Sequence, residues 1–148
     1  MQLRLRPATT SDKCFLYALH CATMREVIDR TWGWDESWQR GDFERRFEER
    51  IASIIEVNGR ASGAVYLRSQ PDLLFIVDFQ IVPELQRRGI GTAVLREIIA
   101  RAEGLGVPVR LAVLQVNQRG TTTLRAARIH AHRYRGAVHP HGTRYTNG

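Results

Sequence analysis

The chain has 148 residues, 43% hydrophobic and 25% charged, ordinary values for one globular domain. A chain this long buries roughly 68–70% of its unfolded surface, enough for a single core. No apolar run approaches the ~20 residues of a membrane span, and Met1 to Pro7 alternates instead of forming the apolar block of a secretory signal. The net charge of +7 raises nucleic acid as a partner, but its distribution argues against one. Residues Arg119 to Gly148 hold six Arg and no Asp, Glu or Lys, so taking those six from +7 leaves +1 for the first 118 residues. Four of the five His also fall in that tail, where the only aromatics for base stacking are Tyr134 and Tyr145.

In chain order, residues 2–6 alternate as a first strand. Thr9 and Asp12 have the spacing of a capping box, and a helix is expected from there to about Arg30. Phe15, Leu16, Leu19, Ala22 and Val27 would form its apolar face. Cys14 and Cys21 stand two turns apart on that helix, ~10 Å by helix rise, too far for a bridge within it. Both are read as reduced core residues of a cytoplasmic protein, and no metal is expected. The Thr31 to Asp35 segment breaks the helix, and Asp35 can cap a second one in which Phe43 and Phe47 share a face.

Ile51 to Val57 reads as a strand, Asn58-Gly59 as a hairpin turn, and Ala61 to Arg68 as the returning strand. After the Pro71-Asp72 turn, Leu73 to Val82 is a near-continuous apolar run, which suits a central strand covered on both faces. A helix follows from Gly89 to Glu103, with Val94, Leu95, Ile98, Ile99 and Ala102 at helical spacing, and Gly104 and Gly106 stop it. Val109 to Val116 is a last strand rich in β-branched residues. This order implies an α/β (α+β) domain with a mixed sheet.

The turn between the long strand and the third helix carries the chemistry. The first N–H groups of a helix lack internal partners and carry partial positive charge, which suits an anion. Gly89 and Gly91 let phosphate oxygens approach the backbone, and Arg87 and Arg88 add charge beside it, so pyrophosphate is the natural occupant. The turn is not a dinucleotide fingerprint, because the third glycine is missing, nor a Walker loop, because no Lys-Ser/Thr follows.

The run from Phe79 to Thr92 resembles the acetyl-CoA signature of the GNAT superfamily, Q/R-x-x-G-x-G/A, including the Pro three residues before Gln86. The first 118 residues also follow that family's element order. The resemblance implies a GNAT-like mixed central sheet flanked by helices, over a body of residues 1–118, with acetyl-CoA as cosubstrate. It implies that the amides around Gln86, Arg87, Arg88, Gly89, Ile90, Gly91 and Thr92 grip the pyrophosphate. The backbones of Phe79 and Ile81 would pair with the pantetheine arm, and Asn117 would stand where the family often has an Asn. The activity implied is N-acetylation of a small-molecule or peptide amine. Asp78 is the one carboxylate within the long strand and the candidate base, on the same face as Gln80. Trp32, Trp34 and Asp35 fall where the family places its acceptor-binding helices, and an aromatic, acidic wall suits a cationic amine.

The resemblance stops at the atypical basic tail, residues 119–148. The family's Tyr-x-x-x-Gly-Phe run, whose Tyr serves as acid for the thiolate, is missing after Asn117. Codons permitted for Thr122 to His130, read one nucleotide later, can encode Arg-Leu-Tyr-Glu-Arg-Leu-Gly-Phe. The tail is therefore read as the family's ending in a shifted frame, with a helix still able to form around Thr121 to His132. On this reading the last proper strand has an open edge, which makes a homodimer an expected partner state, and catalysis is weak even where CoA binds.

Overall fold

The computed structural model describes residues 1–113, 130–133, 137–138 and 144–145. The first strand, β1 (Leu3–Pro7), leads into a short 3-10 turn at Thr10–Asp12 closed by the capping box expected of Thr9 and Asp12. Helix α1 (Lys13–Trp32) follows, and Gly33 ends it with a left-handed φ of 81°. Helix α2 (Glu36–Glu48) starts at Asp35, whose side chain accepts the Trp38 N–H. Phe43 and Phe47 share a face of α2, their ring centroids 6.3 Å apart.

Strands β2 (Ala52–Val57) and β3 (Arg60–Gln70) form the hairpin expected at Asn58-Gly59, both turn residues having positive φ. Strand β4 (Leu73–Ile81) runs through a 3-10 turn at Pro83–Leu85 into α3 (Ile90–Leu105), which leads to β5 (Val109–Val113). Gly106 forms the left-handed cap of α3, while Gly104 lies inside the helix. Strand β6 (His130–Arg133) joins the main sheet, and β7 (Ala137–Val138) pairs with β8 (Arg144–Tyr145).

The main sheet has the order β1-β2-β3-β4-β5-β6, antiparallel through β4 and parallel from β4 to β6. One face carries α1 and α2 over Leu16, Leu19, Phe43, Ile54, Ala64 and Tyr66. The other carries α3 over Ile55, Val65, Leu74, Ile76, Ile98 and their neighbours. Adjacent residues of β2, Ile54 and Ile55, serve opposite cores, as strand alternation requires.

A bulge in β4 decides where the polar residues go. The β3 register runs Tyr66↔Asp78 and then Leu67↔Ile76, so Val77 is an extra residue. Leu74 and Ile76 face α3, and strict alternation would send Asp78 and Gln80 after them. The extra residue turns both onto the α1–α2 face and leaves Phe79 and Ile81 toward α3.

Several expectations change. Cys14 is exposed and Cys21 only half-buried, so neither is a core residue; the core positions of α1 are Leu16, Leu19 and Ile28. Ala22 is exposed, since the inward face tracks 100° per residue and reaches Ile28 instead. The β5 edge is not open, because β6 pairs along it from Arg110↔His130 to Val113↔Arg133. His130 to His132 are strand rather than helix, and the rest of the expected tail helix lies outside the described residues. The homodimer inferred from an open edge loses that basis.

Candidate active site

The loop between β4 and α3 has the geometry that suits an anion. Arg87 has φ 64° and Gly89 φ 82°, two left-handed residues separated by Arg88. Alternating backbone hand of this kind turns successive N–H groups toward a common point. Among the described residues, none of the backbone N–H groups from Arg87 to Thr92 has a hydrogen-bond acceptor; the first pairing is Ala93 N–H to the Gly89 carbonyl at 3.1 Å. Gln86, Arg87, Arg88 and Gly89 are exposed, so the amides and both guanidinium groups face solvent. A left-handed φ on an Arg is strained by roughly 1–2 kcal/mol, which folding alone gives no reason to retain.

The two glycines serve different ends. Gly89 needs its positive φ, whereas Gly91 has none, and a Cβ there would meet Ile81 and the Phe79 ring at an ordinary 3.6 Å. Packing therefore does not demand glycine at 91. The same contacts seat the first turn of α3 on the end of β4.

At this end of the sheet β4 and β5 part. Their register covers Leu74↔Val109, Phe75↔Arg110 and Ile76↔Leu111, and stops at the bulge. Beyond it, Phe79 and Ile81 have no partner strand on the β5 side among the described residues. Among the described residues, the backbone expected to take a pantetheine arm thus has no strand on its β5 side.

On the opposite face the bulge delivers Asp78 to a small cavity lined also by His20, Asp42, Phe43, Arg46 and Tyr66. Asp78 is heavily engaged. Its Oδ1 accepts the Phe79 N–H at 2.8 Å, and its Oδ2 accepts Gln80 Nε2 at 2.9 Å and lies 3.5 Å from Arg46 Nη1. Gln80 is only 3% exposed, its Nε2 lies 3.4 Å from His20 Nδ1, and its Oε1 is buried without a partner. His20 Nε2 meets Gln39 Oε1 at 2.9 Å, so the amide network assigns the proton to Nε2. A hydrogen-bonded chain therefore links α2, α1 and β4. Tyr66 sits opposite Asp78 in register, and burial, then the Asp78 charge, push its phenol up to about 12. It stays a neutral hydroxyl at physiological pH.

The Trp32–Asp35 segment lies next to this cavity but is largely satisfied by its own chain. The Asp35 carboxylate caps α2, accepting Trp38 N–H at 2.9 Å. Trp34 stands 5.7 Å from His20, donates Nε1–H to Glu36 at 2.8 Å, and carries Arg25 over its ring at 5.3 Å. Glu36 also accepts Tyr17 Oη and Arg40, and these hydrogen bonds, that of Trp34 foremost, hold its carboxyl below the usual carboxylate range. Trp32 is half-buried at the end of α1. Asn117 lies outside the described residues. His20, Gln39, Asp42, Arg46 and Tyr66 were not anticipated as site residues; the i, i+4 pairing of Asp42 and Arg46 was the one signal the sequence offered.

The acetyltransferase (GNAT) family profile matches residues 15–130. The chain belongs to that family. Its structure is similar to that of PaiA N-acetyltransferase from Thermoplasma acidophilum, crystallised in complex with coenzyme A: TM-score 0.70, 17% identity, 85% of this chain and 88% of that one covered. The putative acetyltransferase YycN from Bacillus subtilis gives TM-score 0.67 at 16% identity, covering 90% and 95%. The ribosomal-protein-S18-alanine N-acetyltransferase from Escherichia coli gives 0.61 at 20%, covering 84% and 76%. These likenesses establish a shared GNAT fold. Among curated proteins no sequence matches. No helix among the described residues is long and apolar enough to cross a membrane.

Proposed function

We propose that this GNAT chain moves the acetyl group of acetyl-CoA to an amine of a small molecule or peptide. The observation that carries the reading is the run of N–H groups from Arg87 to Thr92 with no acceptor among the described residues, set beside the end of the β4–β5 register. Those amides would hold the pyrophosphate, with the Arg87 and Arg88 side chains adding charge and Gln86 opening the loop. The Phe79 N–H and Ile81 carbonyl would take the pantetheine arm, and Asn117 is assigned beside it. Acetyl-CoA supplies an activated acetyl thioester. Similar structures support both halves: one was crystallised with coenzyme A, and another is a ribosomal-protein-S18-alanine N-acetyltransferase.

On the acceptor side, Asp78 is assigned as the base that takes a proton from the ammonium, and Trp32, Trp34 and Asp35 as acceptor contacts. A half-buried carboxylate facing a cavity suits a cationic group. Free Cys14 and Cys21 accord with a reducing, cytoplasmic compartment. A second reading, CoA binding with little catalysis, is favoured by the engagement of both Asp78 oxygens and by the missing family tyrosine. The division at residue 118 and the shifted frame of the tail belong to that second reading, and sequencing the gene tests them.

Calorimetry with acetyl-CoA, on this chain and on Gly89→Glu, tests the cofactor site. Binding that the variant loses supports the reading; no binding by the unaltered chain refutes it. Thiol release from acetyl-CoA across a panel of amines then separates transfer from binding alone.

A further inference from the structure

The outward-facing groups of β4 beyond its register with β5 are already bonded to side chains. Val82 donates its N–H to Ser62 on β3 at 3.0 Å. N–H directions alternate along a strand, so those of Gln80 and Asp78 also face β3, while the Phe79 N–H and the Ile81 carbonyl face away from it. The Phe79 N–H donates to Asp78 Oδ1 at 2.8 Å, and the Ile81 carbonyl accepts from Gln86 Nε2 at 3.0 Å. These are the two backbone groups assigned above to the pantetheine arm.

We infer that Asp78 is a placeholder on the cofactor edge of β4, and that seating the cofactor releases its carboxylate into the acceptor cavity. The inference rests on the acetyl-CoA reading and deepens it. An arm that pairs with β4 must take the Phe79 N–H from Asp78, whereas the Ile81 carbonyl has a second lone pair and needs only room beside the Gln86 amide. Gln86 is exposed, so its amide can turn into water to give that room. Asp78 cannot do so, because Oδ2 stays tied to Gln80 and close to Arg46. Its Oδ1 therefore turns within the cavity bounded by His20, Asp42, Phe43, Arg46 and Tyr66. There it becomes an open acceptor for an ammonium N–H, and only while the cofactor is seated. The site thus withholds its carboxylate from the acceptor until the acetyl donor is in place, through one hydrogen bond that carboxylate and cofactor cannot both make.

The test is affinity without turnover. Removing the competitor with Asp78→Ala should tighten acetyl-CoA binding about three- to tenfold, the scale of one hydrogen bond. The phosphoadenosine diphosphate half of CoA, which has no pantetheine arm, should bind both proteins equally. Equal tightening for both ligands would assign the effect to lost negative charge and overturn the inference. Unchanged or weaker acetyl-CoA binding by the variant would also overturn it. If the unaltered chain binds neither ligand, the acetyl-CoA reading itself falls. Should Asp78→Ala fail to fold, amide NMR of the unaltered protein serves instead. The Phe79 amide signal should move when acetyl-CoA binds and stay in place with the half that has no pantetheine arm; a signal unmoved by acetyl-CoA would sink the proposal.

Discussion

The two sides of β4 show opposite ways of building a site. Toward α3, the loop from Arg87 to Thr92 leaves its N–H groups without acceptors and accepts a strained Arg φ to do so. Toward α1 and α2, nearly every polar atom has a partner: Asp78 with Phe79, Gln80 and Arg46, and His20 with Gln39 and Gln80. On the proposed reading an anion would complete what the backbone of the first side lacks. The second holds its charged groups in internal bonds, so a ligand there must exchange partners rather than find free ones. The difference follows from burial: solvent satisfies exposed amides until a ligand arrives, but a buried group without a partner costs about 1–3 kcal/mol.

Gly89→Glu strikes the open side and should have the largest effect. A side chain at φ 82° adds about 1–2 kcal/mol of strain, and a carboxylate opposes the pyrophosphate. Acetyl-CoA affinity should fall by about a hundredfold or more on calorimetry, while the melt shows the fold retained. If affinity survives, the open loop is not the phosphate site and the contrast between the two sides collapses.

Gly63→Ala probes the strand that both sides share. A Cβ at Gly63 would run into the Gln80 carbonyl on β4, so the two strands must separate. We expect a loss of about 1–3 kcal/mol in thermal or denaturant unfolding, with acetyl-CoA binding weakened as well. Unchanged stability would mean that β4 yields easily, and its placement of Asp78 would then not be rigid.

Asp12→Asn is a control remote from both sides. Arg6 donates two hydrogen bonds to Asp12, foremost in holding that carboxyl down at about 2, and Thr9 N–H adds another. A carboxyl held below its unfolded value stabilises the fold above about pH 4, and the contribution disappears as pH falls through about 2. The substitution should cost about 2 kcal/mol at neutral pH. The two unfolding free energies should converge at the acid end, and acetyl-CoA affinity should not change. Parallel curves down to pH 2 would contradict the ion-pair account.

The smallest effect should come from Asp35→Ala, which removes the cap of α2 at a cost of about 1 kcal/mol. Cofactor affinity should stay constant, whereas the acceptor KM should rise if α2 forms the acceptor wall. An unchanged KM would leave Asp35 as a cap alone.

Much of this was legible in the residues because it depends on local chemistry. Thr9 with Asp12, Asn58-Gly59 and Asp35 fix a box, a turn and a cap through atoms a few residues apart. The Gln86 to Thr92 loop was readable for the same reason, since glycine placement and a helix start determine which N–H groups stay open. The α1 face was misjudged at Ala22 and at the cysteines, because which arc of a weakly amphipathic helix turns inward depends on the sheet beneath it.

The sequence alone therefore determined the strand and helix order, the α/β class, the glycine-bearing turn into α3 and the family resemblance, all carried by short-range patterns. Tertiary structure alone decided three things. It inserted Val77 as a bulge, which a uniformly apolar strand cannot reveal, and so put Asp78 on the α1–α2 face. It laid β6 along β5 across a gap of sixteen residues, a pairing no local signal encodes. It also brought His20, Gln39 and Arg46 to a carboxylate more than thirty residues away, because only packing two helices on that face makes those side chains neighbours.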